Sequence, residues 1–114
     1  MNATFSIRES ADVTIIDVAG RITFGGPAYE LRSSIGLALQ QGVTKILLNL
    51  AGAEYLDSTG IGELLAGVRA AGEHGAALKL LNVPRRIRDL LRLTGVFDVF
   101  EQFSDEAAAV ASFA

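Results

Sequence analysis

Apolar residues along this chain switch between the spacing of strands and the spacing of helices, and the switches outline its elements. Thr4-Phe5-Ser6-Ile7-Arg8 alternates as a short strand, Glu9–Asp12 reads as a turn, and Val13-Thr14-Ile15-Ile16-Asp17-Val18 is a second strand rich in β-branched residues. These two are expected to pair as a hairpin. Gly20–Gly26 leads out of it, with Gly25-Gly26 as a turn, and Pro27 suits the first position of a helix whose buried stripe is Leu31, Ile35 and Leu39 beside Ala28 and Ala38. Gly42 follows Gln40-Gln41 as that helix's cap. Lys45-Ile46-Leu47-Leu48-Asn49-Leu50 is an apolar run of strand length, and from Ile61 onward Leu64, Leu65, Val68 and Ala71 continue at helical spacing. After Gly75, Ala76–Val83 reads as a third buried strand. Pro84 opens a helix with Ile87, Leu90 and Leu91 facing inward and Gly95 at its end, and Val96–Glu101 reads as a last short strand. Ser104-Asp105-Glu106 begins a terminal helix whose expected apolar side is Ala107, Val110, Ala111 and Phe113.

The order β-β-α-β-α-β-α-β-α, a hairpin followed by alternation, implies an α/β fold. It predicts one domain over residues 1–114 with a mixed, mostly parallel sheet and about four helices. Strand-to-helix loops of such a sheet gather at the carboxyl ends of its parallel strands, where binding sites are usually found. The loop after the central strand is therefore the place to look for function.

That loop contains Asp57-Ser58-Thr59-Gly60. It offers several N-cap candidates, an exposed pair of hydroxyls, and backbone N–H groups at the positive end of a helix dipole. The helix behind it is oddly built, because Gly60, Gly62, Gly67 and Gly72 interrupt the segment that carries its apolar stripe, and each internal glycine costs about 1 kcal/mol relative to alanine. Two readings stand. Either another protein's backbone comes close here, or the glycines relieve crowding inside the domain. On a helical wheel Gly62, Ala66 and Ala70 fall on the outward flank shared by Thr59 and Glu63, which makes that flank small-residued and accessible.

Composition narrows the partners. Ten Lys and Arg against thirteen Asp and Glu leave a net charge of -3, with half the residues hydrophobic and a fifth charged. This is the balance of a folded domain without general attraction to nucleic acid or to an anionic membrane. There is no cysteine, hence no disulfide framework and no thiolate metal site. Met1–Phe5 shows no signal peptide, and no apolar run reaches membrane-spanning length, so a cytoplasmic protein without membrane insertion is expected.

Enzyme chemistry at the loop fails on spacing. Gly60 and Gly62 begin a dinucleotide fingerprint but Leu65 stands at its third glycine; no lysine lies between Lys45 and Lys79 to complete a phosphate loop; Leu56 replaces the first glycine of a nucleophile elbow. Asp57-Ser58-Thr59-Gly60 also occurs once and has one residue too many for an aspartic-protease dyad. The only histidine, His74, lies at the far end of the same helix, on the order of 24 Å from Ser58 at a rise of 1.5 Å per residue. It reads as a helix C-terminal residue rather than a base. Arg85, Arg86, Arg88 and Arg92 share one helix with Asp89 and read as a solvated face; no aromatic residue is interleaved with them as in single-strand nucleic-acid binders. No catalytic residue, cofactor or metal ligand is expected.

What survives is a serine that is acted upon. A phosphate on an exposed Ser58 would add about -1.5 to -2 of charge at one surface point. The helix N-terminus would tolerate it, whereas a partner with acidic groups across an interface would be repelled.

At these residues the chain resembles the STAS family, and within it the small stand-alone anti-sigma factor antagonists of bacteria. Val18-Ala19-Gly20-Arg21-Ile22 is similar to the family's second-strand segment. Leu56-Asp57-Ser58-Thr59-Gly60-Ile61-Gly62 is similar to its signature, and Leu80–Pro84 with Leu91–Phe97 to its third-helix region. The resemblance covers essentially the whole chain. It implies that the unphosphorylated protein binds a serine-kinase anti-sigma factor and so releases a sigma factor. The kinase then phosphorylates Ser58 and frees itself, and a metal-dependent serine phosphatase resets the switch. Ser58, which directly follows the aspartate, is the implied acceptor and ranks ahead of Thr59. The implied partner surface comprises Thr23, Asp57, Ser58, Thr59, Gly60, Gly62, Glu63 and Ala66, with Asp57 shaping the loop and touching the kinase. Thr23 departs from the family, many members of which carry aspartate there. A weak homodimer stays open. The competing reading is a constitutive STAS adaptor in a transporter or stress-sensing complex, with Ser58 never modified; a nucleotide-binding role ranks below both.

Overall fold

The β-branched run that begins at Val13 stays extended to Ile22 and forms strand β2 (Val13–Ile22). The computed structural model describes residues 3–114. Residues 1 and 2, which the expected domain and the reading of the N-terminus include, lie outside the described residues. Strand β1 (Ala3–Ser10) pairs antiparallel with β2. Strands β3 (Lys45–Leu56), β4 (Ala77–Leu81) and β5 (Gln102–Phe103) then follow in parallel, giving the spatial order β1-β2-β3-β4-β5. The helices are α1 (Gly26–Gln40), α2 (Ser58–Glu73), α3 (Arg85–Leu93) and α4 (Glu106–Ala111). Fold class, hairpin, strand polarity and element order are those the sequence predicts.

Runs such as Ile46-Leu47-Leu48 do not alternate because both sheet faces are covered. Ile16, Leu48 and Leu80 point toward Leu31 and Ile35 of α1, Leu64 of α2 and Ile87 and Leu91 of α3 in the larger core cluster. Ile15, Leu47 and Leu81 point the other way, onto Ala109 of α4. Three helices thus stack on one face and a single short helix on the other.

Three expectations about the elements need correction. Val96–Glu101 is not a strand: Phe97–Val99 forms a 3₁₀ turn and the fifth strand is Gln102–Phe103. Phe97 and Phe100 stand three apart, the repeat of a 3₁₀ turn, so Phe100 is buried and Phe97 packs against the core while Val99 is left exposed. The central strand runs on through Ala51–Leu56, read above as loop, because β2 also continues to Ile22 and the two ends pair. The terminal helix turns a different side inward. Ala109, Val110 and Phe113 pack on the second core, and Ala107 and Ala111 face solvent.

Helix α4 is tied down by charge as well as packing. Arg8 donates Nη1 and Nη2 to the Glu106 carboxylate at 2.9 and 2.8 Å and Nε and Nη2 to Asp17 at 2.7 and 3.1 Å, while Asp17 also accepts from Asn49. The guanidinium holds both carboxyls below their ordinary range, chiefly through these hydrogen bonds. A depressed folded-state pKa means stabilisation that is present above the unfolded value and lost as the pH falls through the folded one. Below about pH 4 the amide resonances of residues 106–113 are expected to broaden or shift together, ahead of those of Leu48 and Leu80. Simultaneous loss of both sets on NMR titration would show that α4 has no separate acid-sensitive latch.

Candidate functional site at the start of the second helix

The site is delivered by two irregularities of the central strand. Along the β2–β3 pair, Asp17 faces Asn49 but Ala19 faces Gly52, and Gly20 faces Ala53 but Arg21 faces Tyr55. Each step inserts one extra residue into β3, the pattern of a bulge, which bends a strand and re-aims its side chains. Gly52 is needed at the first, since a Cβ there would lie 2.9 Å from that of Ala19. Beyond the second, Leu56 is fully buried and Asp57 becomes the single residue between strand and helix.

Asp57 is the N-cap of α2, in extended backbone conformation. Its Oδ1 accepts from the Gly60 amide at 2.9 Å and its Oδ2 accepts from the Phe24 amide at 2.9 Å. One carboxylate therefore fixes the first turn of α2 and fastens to it the β2–α1 loop, 33 residues away in sequence. Its pKa lies below the ordinary carboxylate value. Desolvation is the largest single influence and pushes it up, but the backbone N–H donors, Gly60 first, then Phe24 and Thr59, together outweigh it. Asp57 is thus anionic wherever the protein is folded near neutral pH.

Ser58 occupies the first helical position and is exposed; Thr59 beside it is half-buried. Gly60 lies inside, because a Cβ at this position would come within 2.3 Å of the Ile22 carbonyl oxygen. Gly67 likewise lets α2 close on α1, its missing Cβ falling 2.8 Å from Ile35 Cδ1. A Cβ at Gly62 or Gly72 would meet nothing within 4 Å. The two readings of the glycines therefore divide: Gly60 and Gly67 relieve internal crowding, and Gly62 and Gly72 face open space. Ala66 is exposed next to Gly62 on the expected outward flank, and Ala70 is half-buried. Thr23 is half-buried, and its backbone carbonyl accepts from the Ala28 amide at 3.1 Å in the loop that Asp57 holds.

Glu63 does not lie on an accessible flank. It is 8% exposed, and its carboxylate takes a bidentate ion pair from Arg32 of α1, with Nη2 to Oε2 at 2.7 Å and Nε to Oε1 at 3.1 Å. Sequence reading misses Arg32 because its partner is 31 residues distant and no local spacing links them. It also passes over Phe24 and Tyr29, which are 80% and 68% exposed. A phenylalanine between Thr23 and Gly25-Gly26, in a turn with no core to enter, was the available signal.

The remaining candidates fall where their nearest structural roles put them. His74 caps the C-terminus of α2, its Nδ1 2.9 Å from the Ala70 carbonyl oxygen, at the opposite end of this 16-residue helix from Ser58. Arg85 and Arg92 flank Asp89 on α3, and Arg92 also stacks on Phe97 at 4.1 Å. Among the described residues no helix is long and apolar enough to cross a membrane, and no group of three or more acidic or histidine side chains converges as metal ligands.

Comparison with known proteins agrees with this architecture. The family model described as the STAS domain matches residues 4–109. An anti-sigma-B factor antagonist of Bacillus subtilis is 26% identical over 102 residues, which cover 89% of this chain and 91% of that protein. The crystal structure of an anti-sigma factor antagonist from Mycobacterium paratuberculosis superposes with a TM-score of 0.85 at 20% identity, over 98% of this chain and 94% of the other. The Bacillus cell fate determinant SpoIIAA in its phosphorylated form superposes with a TM-score of 0.75 at 21% identity, over 97% and 100% of the two chains.

Proposed function

The chain belongs to the STAS domain family, and from that premise we propose that it is an anti-sigma factor antagonist switched by phosphorylation of Ser58. Unmodified, it binds a serine-kinase anti-sigma factor in the cytoplasm and releases the sigma factor held there. Phosphorylated on Ser58, it lets go, and a metal-dependent serine phosphatase restores the binding form.

The observation that carries this reading is the presentation of Ser58. It stands exposed at the first position of α2, one residue after a carboxylate bonded to the Gly60 and Phe24 amides. A kinase can reach the hydroxyl without unfolding anything. The phosphate would gain from the helix dipole on its own side, so the fold need not change when it is added. For a partner seated over the loop the same phosphate, with the Asp57 carboxylate next to it, is a concentrated negative charge to be desolvated. The relatives' names, anti-sigma-B factor antagonist and SpoIIAA in the phosphorylated form, agree in kind.

The test is intact mass after incubation with ATP and each serine-kinase anti-sigma factor of the source organism, followed by peptide mapping. One added phosphate on Ser58 is expected with at least one of them. No gain with any kinase, or a phosphate mapped to another residue, would overturn the switch and return the adaptor reading to first place.

A further inference from the structure

We infer that the outer face of α1 and the facing flank of α2 form the docking surface for an amphipathic helix of the anti-sigma partner, with Arg32 at its centre holding a partner carboxylate. This inference rests on the reading of Ser58 as the partner switch. It adds a second contact region on the side of the switch away from the sheet.

Helix α1 buries one apolar stripe and leaves two further large apolar side chains in solvent. Leu31, Ile35 and Leu39 enter the core, but Tyr29 and Leu37 stand 68% and 53% exposed on the other side, and Phe24 just before the helix is 80% exposed. Between α1 and α2 runs a groove of about 400 Å³ whose walls include Gly36, Gly62, Ala66 and Ala70. A Cβ at Gly36 or Gly62 would meet nothing within 4 Å, so a third backbone can approach closely, and the apolar face of an amphipathic helix can lie in the groove. A smaller hollow of about 170 Å³ continues past Tyr29 and Phe24 to Thr59, and another of about 260 Å³ runs along Tyr29, Ser33 and Leu37.

Arg32 lines all three hollows. Its Nε and Nη2 are committed to the buried Glu63 carboxylate, which holds the guanidinium in one orientation. Its Nη1 donates to nothing among the described residues, and the side chain is 69% exposed. A pre-oriented arginine with free N–H groups, ringed by exposed aromatic residues and small ones, has the composition of an interface hot spot. Its complement is a carboxylate on an otherwise apolar helix face. The same geometry links docking to the switch. Thr59, next to Ser58, lines the hollow that contains Arg32, so a phosphate on Ser58 would add negative charge at the edge of the docking surface, toward an acidic partner.

The probe is the purified kinase that modifies Ser58 in the mass assay, titrated with unphosphorylated wild type, Ala66→Trp and Arg32→Lys. Ala66→Trp fills the groove from an exposed position. Arg32→Lys keeps a cation for Glu63 and loses the outward N–H groups. Affinity is expected to fall by about 30-fold or more for the first and about tenfold for the second, the range of hot-spot truncations. Unfolding midpoints are expected to stay near wild type. Wild-type affinity in both variants would overturn the docking surface and leave the Ser58 switch standing. A wild-type dimer that Ala66→Trp converts to a monomer in sedimentation would assign the surface to a second copy instead. If wild type binds no kinase of the organism, the switch and the docking surface fall together.

Discussion

Gly60→Ala is expected to lower the midpoint of thermal unfolding by roughly 10–20 °C, while Gly62→Ala leaves it unchanged or raises it slightly. The two positions are two residues apart on one helix, and helix propensity treats them alike: alanine is favoured over glycine by about 1 kcal/mol at either. Their surroundings are opposite. A Cβ at Gly60 would lie 2.3 Å from the backbone oxygen of Ile22 and 3.1 Å from Leu56 Cδ2, whereas at Gly62 it meets nothing within 4 Å. Ile22 and Leu56 are paired ends of β2 and β3 and are fully buried, so they have no room to yield. The first turn of α2 must move instead, and overpacking of this kind costs about 1–3 kcal/mol or more, each kcal/mol being worth roughly 4–8 °C in a domain near this size. The displacement would also pull the Gly60 amide from Asp57 and with it the Ser58 loop, so phosphorylation by the kinase should slow in parallel. Calorimetry of the two variants decides it. Equal midpoints would mean that the contact with Ile22 relaxes at little cost.

How much of this was readable in the sequence depends on the range of the interaction. Element order, strand polarity and the Asp57-Ser58 junction follow from local period and composition, because a buried parallel strand and an N-cap each leave a mark within a few residues. The length of β3 did not show. Ala51-Gly52-Ala53 has the composition of a turn, and only its pairing with Ala19-Gly20 on β2 keeps it extended. Val96–Glu101 carries an alternation that suits a strand as well as a 3₁₀ turn, and the burial of Phe100 chose the second. Glu63 shared a helical flank with Gly62 and Ala66, but wheel position cannot register Arg32 reaching across from α1. The terminal helix offered apolar residues in nearly every phase, since it is mostly alanine, and Phe113 and Val110 decided which side faces Leu47 and Leu81.

Ser58→Glu is expected to weaken binding of the kinase anti-sigma factor by about 100-fold, with Ser58→Ala binding as tightly as wild type and resisting modification. The magnitude follows from where the charge is placed. Bringing like charges together across an interface costs several kcal/mol, and about 2.7 kcal/mol corresponds to 100-fold. Asp57 already supplies one anion beside residue 58, and the amide bonds that hold its pKa down keep it charged. Size and charge can be separated, because Ser58→Gln adds the same bulk without the charge. At an exposed helix start all three substitutions are expected to leave the fold alone, so differences between them report on the interface. If repulsion is the cause, Gln should bind nearly as well as wild type, and the gap between Gln and Glu should narrow as salt is raised from 50 to about 500 mM, where the screening length shortens to a few ångströms. If Gln is as weak as Glu at every salt concentration, the partner is excluded by bulk at residue 58. The phosphate would then act as a steric block and not as a charge.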